Sequence, residues 1–143
     1  METVMAMLGA MNSQTLAQNQ LTALRITQDV TAVPFSHQVI FQDFAQNCLV
    51  VGHEAVTAVL QTFFNAFNHS SITHKHIQAD EDSARLELLL TGRQVAPFWG
   101  LPCTGRTVTL ALEMGCRFYE EQVTHVELHY DAGALLRQLG LAL

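Results

Sequence analysis

The chain has 143 residues, 49% apolar and 14% charged, with seven Lys and Arg against thirteen Asp and Glu for a net charge of −6. That length suits one domain with a sizeable core, and the composition lacks the polar bias of a disordered chain. The excess of acid argues against a nucleic-acid partner, which needs a clustered basic face to displace counterions. No apolar run approaches the roughly 20 residues that span a bilayer, so no membrane segment is expected.

Three cysteines, Cys48, Cys103 and Cys116, cannot all pair within one chain and match neither a zinc motif nor a disulfide framework. They read as reduced thiols of a cytoplasmic protein. The Met-rich start, Met1 to Met11, includes Glu2 and no positive run, unlike a signal peptide. Residues 1–12 therefore read as an N-terminal extension and residues 13–143 as the domain.

The spacing of Leu16, Leu21 and Leu24 predicts a first helix over Ser13 to Arg25. Gln28 to Val33 is expected as a short second helix, stopped by Pro34. His37 to Asp43 alternates as a strand, with Val39 and Phe41 on one face and Gln38 and Gln42 on the other. After Gly52, Glu54 to Phe67 places Val56, Val59, Leu60, Phe63, Phe64 and Phe67 on one stripe, the mark of an amphipathic helix. Two strands, Ile72 to Ala79 and Ala84 to Gln94, flank the polar turn Asp80-Glu81-Asp82-Ser83. In the next strand Val108, Leu110, Leu112, Met114, Cys116 and Phe118 share one face; Thr107, Thr109, Glu113 and Arg117 share the other. Tyr119 to Gln122 turns the chain into a last strand, Val123 to Tyr130. Asp131 is placed to cap a final helix carrying Leu135, Leu136 and Leu139. Helices followed by consecutive strands with tight turns give an α+β domain, one curved, mostly antiparallel sheet wrapped around helices.

Gly92, the stretch Gly100-Leu101-Pro102-Cys103-Thr104-Gly105-Arg106, Asp131 and Gln138-Leu139-Gly140 together resemble the SnoaL-like polyketide cyclases of the nuclear transport factor 2-like superfamily. The resemblance covers roughly Ser13 to Leu143 and is specific from Thr91 onward. Cys103 stands where the family often has a second proline. It implies a conical, cystatin-like α+β barrel whose hollow takes a small organic molecule. It also implies a homodimer through the outside of the sheet, with Thr109, Glu113, Glu127 and His129 at or near the contact.

Cyclases of this family use a pocket Asp as general acid/base in an intramolecular aldol closure. In one of them that Asp lies three residues before the position of Asp131, which is Leu128 in this sequence. A pocket His corresponds to Met114, a pocket Asn to Phe41 and a second His to Gln94. Hydrocarbon transfers no proton, so the usual catalysis is not expected here. What the resemblance leaves is an apolar pocket lined by Phe41, Leu112, Met114, Phe118 and Leu128. Gln94 and Tyr130 would orient a ligand carbonyl or hydroxyl, with Trp99 over the mouth. Asp43 is the candidate for a relocated base, and His37 is the remaining polar group near the cavity.

Elsewhere, His69, His74 and His76 lie close in sequence, and His74 and His76 are expected to point the same way on a strand. No further ligand is spaced to join them, so neither metal nor cofactor is expected. Three functions stay open: a binding domain for a small hydrophobic or aromatic molecule, a cyclase or isomerase with relocated acid/base groups, and a structural dimer whose cone is filled by its own side chains.

Overall fold

A computed structural model describes residues 2–141, and within it the side chains of residues 14–68 and 71–141. In chain order the elements are α1 (Glu2–Gln28), a 3-10 turn (Val30–Ala32), β1 (Phe35–Asp43), β2 (Cys48–Val51) and α2 (His53–Asn65). They continue with β3 (Phe67–Ala79), β4 (Ser83–Gln94), β5 (Thr107–Tyr119), β6 (Gln122–Tyr130) and α3 (Ala132–Leu139). These strands form one sheet in the order β2-β1-β6-β5-β4-β3. Every pairing is antiparallel except β1 with β6, which is parallel, so the curled α+β sheet is mixed.

The alternation read from β5 holds. Val108, Leu110, Leu112, Met114, Cys116 and Phe118 are buried on the concave face, together with Val126 and Leu128 of β6 and Phe41 of β1. Helix α1 lays Ala23 and Ile26 on this face, and α2 adds Val56, Leu60 and Phe63. The side chain of Asn19 ties α1 across the β3–β4 turn, donating to the carbonyls of Asp80 at 3.0 Å and Glu81 at 2.9 Å. Among the described residues no helix is long and apolar enough to cross a membrane.

Helix α1 runs unbroken through the Met-rich start, whose side chains lie outside the described residues. Three details differ from the sequence expectation. The expected second helix is a single 3-10 turn, because only three residues separate Asp29 from the extended Val33 before Pro34. Strand β2, four residues in antiparallel register with β1, carries too little pattern to be read from sequence. A register shift between His74 and His76 inserts one extra residue in β3. His74 therefore pairs beside buried Leu88 and His76 beside exposed Glu87, so the two histidines face opposite sides of the sheet.

Candidate functional site

The concave face is where a ligand site was expected, and its side chains are packed together. Leu128 and Phe41 are each 1% exposed and Met114 is 0% exposed. Hollows open at its margins instead, one bordered by Phe118 and another by Trp99.

At one end of the face the loop between β4 and β5 forms a plug. Phe98 and Leu101 bond to each other's backbone across Trp99 and Gly100, which both have positive φ, at 49° and 80°. A two-residue turn of this kind strains a tryptophan and suits glycine. The strain at Trp99 is offset by its contacts. Its ring stacks on Phe63 with centroids 4.7 Å apart, and its Nε1 donates to the Val59 carbonyl at 3.0 Å. Phe63 also meets Phe64, Phe67 and Phe98 edge-on, pairs worth about 0.5–1.5 kcal/mol each beyond the area they bury. Trp99 thus belongs to an aromatic wall that also borders a hollow of about 400 Å3 with Pro97, Phe98 and Leu101.

Gln94 explains why the loop holds its shape. It is 0% exposed, and its Nε2 donates to the carbonyls of Ala96 at 3.2 Å and Pro102 at 3.0 Å. Its Oε1 accepts from the backbone N–H of Thr104 at 2.9 Å and from the Thr104 hydroxyl at 3.3 Å. Both amide protons and the carbonyl oxygen are committed to the loop, so Gln94 has none left for a ligand.

Near the β1–β2 turn lies a second polar knot. Asp43 is 1% exposed, where a lone acid at a strand end would ordinarily be solvated. Its Oδ1 accepts from the backbone N–H of Ala45 at 2.9 Å and Gln46 at 3.1 Å, capping the turn. Its Oδ2 accepts the Tyr130 hydroxyl proton at 2.7 Å, and Gln46 Nε2 donates to the same hydroxyl at 2.6 Å. Burial, reinforced by that hydrogen bond and by the charge of Asp43, pushes the Tyr130 phenol above its ordinary value, with the Gln46 bond opposing. With its proton held by Asp43, Tyr130 is an acceptor toward anything else. His37 is exposed and lies edge-on to His53 of α2 at 6.5 Å.

The motif residues behind the resemblance turn out to fasten α3 to β5. Asp131 caps α3, accepting from the Ala134 N–H at 3.1 Å. The Gln138 amide grips the backbone of Thr109 at both its N–H, 2.6 Å, and its carbonyl, 2.9 Å, as a neighbouring strand would. Gly140 ends the helix at φ 75°, and a Cβ there would sit 2.5 Å from Cζ of Arg106. The left-handed backbone is what calls for glycine; a side chain there would also have to displace the flexible Arg106 guanidinium.

His74 and His76 do not come together. His74 lies under α1, where its Nε2 sits 3.3 Å from the Thr27 hydroxyl, whose own proton goes to the Leu24 carbonyl at 2.8 Å. Nε2 is therefore the donor, and burial holds the His74 imidazole below its ordinary pKa of 6.5. The side chain of His69 lies outside the described residues. Among the described residues no three His, Cys, Asp or Glu side chains gather as a metal would require.

A hollow of about 600 Å3 lies where α1 meets the start of β1 and the end of β5. Gln14, Thr15, Gln18, Asn19 and Thr22 of α1 form one wall, and Pro34, Phe118 and Glu121 the other.

A model of the SnoaL-like polyketide cyclase family matches residues 15–139. Among solved structures, the chain is similar to a candidate SnoaL-like polyketide cyclase from Jannaschia sp., at 22% identity and a TM-score of 0.74, over 86% of this chain and 92% of that one. It is also similar to AclR, a candidate hydroxylase from Streptomyces galilaeus, at 20% identity and a TM-score of 0.70, over 90% and 88% of the two chains. A protein with a ketosteroid isomerase-like fold from Catenulispora acidiphila, in complex with trimethylamine, aligns at 16% identity and a TM-score of 0.61, over 82% and 83%. These likenesses show the fold. No curated protein sequence matches the chain significantly.

Proposed function

Because the chain belongs to the SnoaL-like polyketide cyclase family, we propose that it is a binding domain for a small, largely apolar or aromatic molecule, without the family's aldol chemistry. The ligand enters between α1 and the concave face. The observation that carries this reading is the hollow of about 600 Å3 bordered by Pro34 and by Phe118, the outermost residue of the buried stripe on β5. Its size falls within the ordinary range for small-molecule sites, and amides and hydroxyls of α1 supply a few orienting groups. Leu128 and Met114 offer no titratable atom at the positions that resemble the cyclase acid/base pair. Two copies pairing through the convex face, at Thr109, Glu113, Glu127 and His129, would leave that entrance open.

Native mass spectrometry of the purified protein, with a hydrophobic dye such as anilinonaphthalene sulfonate as probe, tests the reading. A retained small molecule or saturable dye binding is expected. Gln18→Trp, which fills the hollow from an exposed helix position, should remove it. Dye binding unaffected by Gln18→Trp would overturn the reading.

The buried Asp43–Tyr130 pair favours one other reading, a relocated acid/base centre. Its mark would be turnover of an anthraquinone-type ester by the wild type that disappears in Asp43→Asn while the fold persists.

A further inference from the structure

Helix α1 carries no charged side chain over residues 12–24, and the wall it gives to the hollow at Phe118 consists of amides and hydroxyls. Their hydrogen-bonding capacity is unevenly spent. Asn19 is 7% exposed, and its Nδ2 donates to the carbonyls of Asp80 at 3.0 Å and Glu81 at 2.9 Å. Carbonyls only accept, which fixes the nitrogen on that side and uses both amide protons. The Oδ1 of Asn19 accepts no hydrogen bond among the described residues. To anything in the hollow, this buried side chain can therefore only be an acceptor.

The facing wall adds charge of one sign. Glu121 is exposed and lines the hollow, whereas no Lys, Arg or His among the described residues borders it. The Glu121 carboxylate has no ion-pair or hydrogen-bond partner among the described residues. With Glu120 it forms the two-residue turn from β5 to β6, both at positive φ, 49° and 66°. Asparagine and glycine take that conformation with less strain, so conformation gives no reason for two glutamates there. The Phe118 N–H donates to the Asp82 carbonyl at 2.8 Å, which brings Asp80, Glu81 and Asp82 to the same end of the sheet. Carboxylates grouped beside an apolar wall reinforce one another's field and raise the local concentration of cations.

Resting on the reading of this hollow as the binding site, we propose that its ligand is an amine. The protonated nitrogen lies against Glu121 and donates to Asn19 Oδ1, and its apolar or aromatic body rests on Phe118 and Pro34.

Naphthylmethylamine, naphthylmethanol and naphthylacetate are the probes, one aromatic body with a cationic, a neutral and an anionic head. Each is titrated calorimetrically into the protein at low salt and neutral pH, where the amine is protonated. The amine is expected to bind at least about fivefold more tightly than the alcohol, the scale of one partly exposed ion pair, and the carboxylate more weakly than the alcohol. Glu121→Gln, a change at an exposed turn, should bring the amine to the affinity of the alcohol and leave the alcohol as it was. The proposal is overturned if the alcohol or the carboxylate binds the wild type as tightly as the amine, if the preference for the amine survives Glu121→Gln, or if the amine does not bind. In each of those cases, anilinonaphthalene sulfonate binding that Gln18→Trp removes keeps the binding-domain reading standing. Dye binding that Gln18→Trp leaves unchanged removes both.

Discussion

The two faces of strands β5 and β6 are one residue apart in sequence and opposite in kind. On the concave side Leu112, Met114, Val126 and Leu128 are packed, and the polar groups among them, Asp43 and Gln94, have their hydrogen bonds satisfied within the protein. On the convex side Glu113, Arg117, His125 and Glu127 are at least partly exposed, and Arg117 has no partner among the described residues. Recognition needs hydrogen-bonding capacity that folding has not already consumed. In this domain that capacity lies mostly outside the cone and at its rim, although the fold directs attention to the interior.

Changing the charge on each face should separate them most sharply. Leu128→Asp puts a carboxylate into packed hydrocarbon and is expected to cost about 3–5 kcal/mol or prevent folding, the penalty of an uncompensated buried charge. Glu127→Leu, one residue away, should change stability by no more than about 0.5 kcal/mol. Urea denaturation of the two variants measures both, and a tolerated Leu128→Asp would mean that water reaches the concave face.

Next in size is Gln94→Leu, which leaves the carbonyls of Ala96 and Pro102 and the N–H of Thr104 without their partner. About 2–4 kcal/mol is expected. Fluorescence of Trp99, the one tryptophan of the chain, should shift to the red as the loop loosens. An unchanged spectrum and midpoint would show that the aromatic stack holds the loop unaided.

A smaller change of the opposite sign is expected for Gly115→Ala, about 0.5–1 kcal/mol of added stability, since the methyl fits and the unfolded chain loses freedom. A destabilised variant would show that the glycine serves the fold.

The smallest effect concerns His74. Its folded pKa lies below the ordinary 6.5 because burial disfavours the imidazolium. The unfolded chain therefore binds more protons near that pH. Stability is intact above about pH 6.5 and declines as pH falls through it toward the folded value. Subtracting thermal midpoints of His74→Gln from those of the wild type across this window should isolate the slope. A flat difference would mean that α1 does not bury the ring in solution.

Much of this architecture was legible in the sequence wherever burial imposes a period. The stripe of α2, the alternation of β5 and the capping Asp131 could be read because each is set by local geometry. The bulge in β3 could not be, since nothing in Thr73-His74-Lys75-His76 marks the residue that loses its place, and the shift decides which way His76 faces. The burial of Asp43 was equally hidden, because Tyr130 lies 87 residues away. Gln94 was read as a pocket residue from the resemblance, while its partners, two to ten residues ahead, were in plain sequence but without periodic signal. The closing motif Gln138-Leu139-Gly140 was recognisable as a pattern, yet the bidentate grip on Thr109 became apparent only in three dimensions.

The parallel pairing of β1 with β6 bears on how the protein comes to be made. As the chain leaves the ribosome, the β1–β2 hairpin is available early, but the strand that must lie against β1 is among the last to emerge. Until then β1 presents an unpaired edge carrying Val39 and Phe41, an invitation to a neighbouring nascent chain. Pairing over so long a span is slow compared with hairpin closure, so overexpression yield should respond to translation speed and chaperone supply more than to the stability of the finished domain.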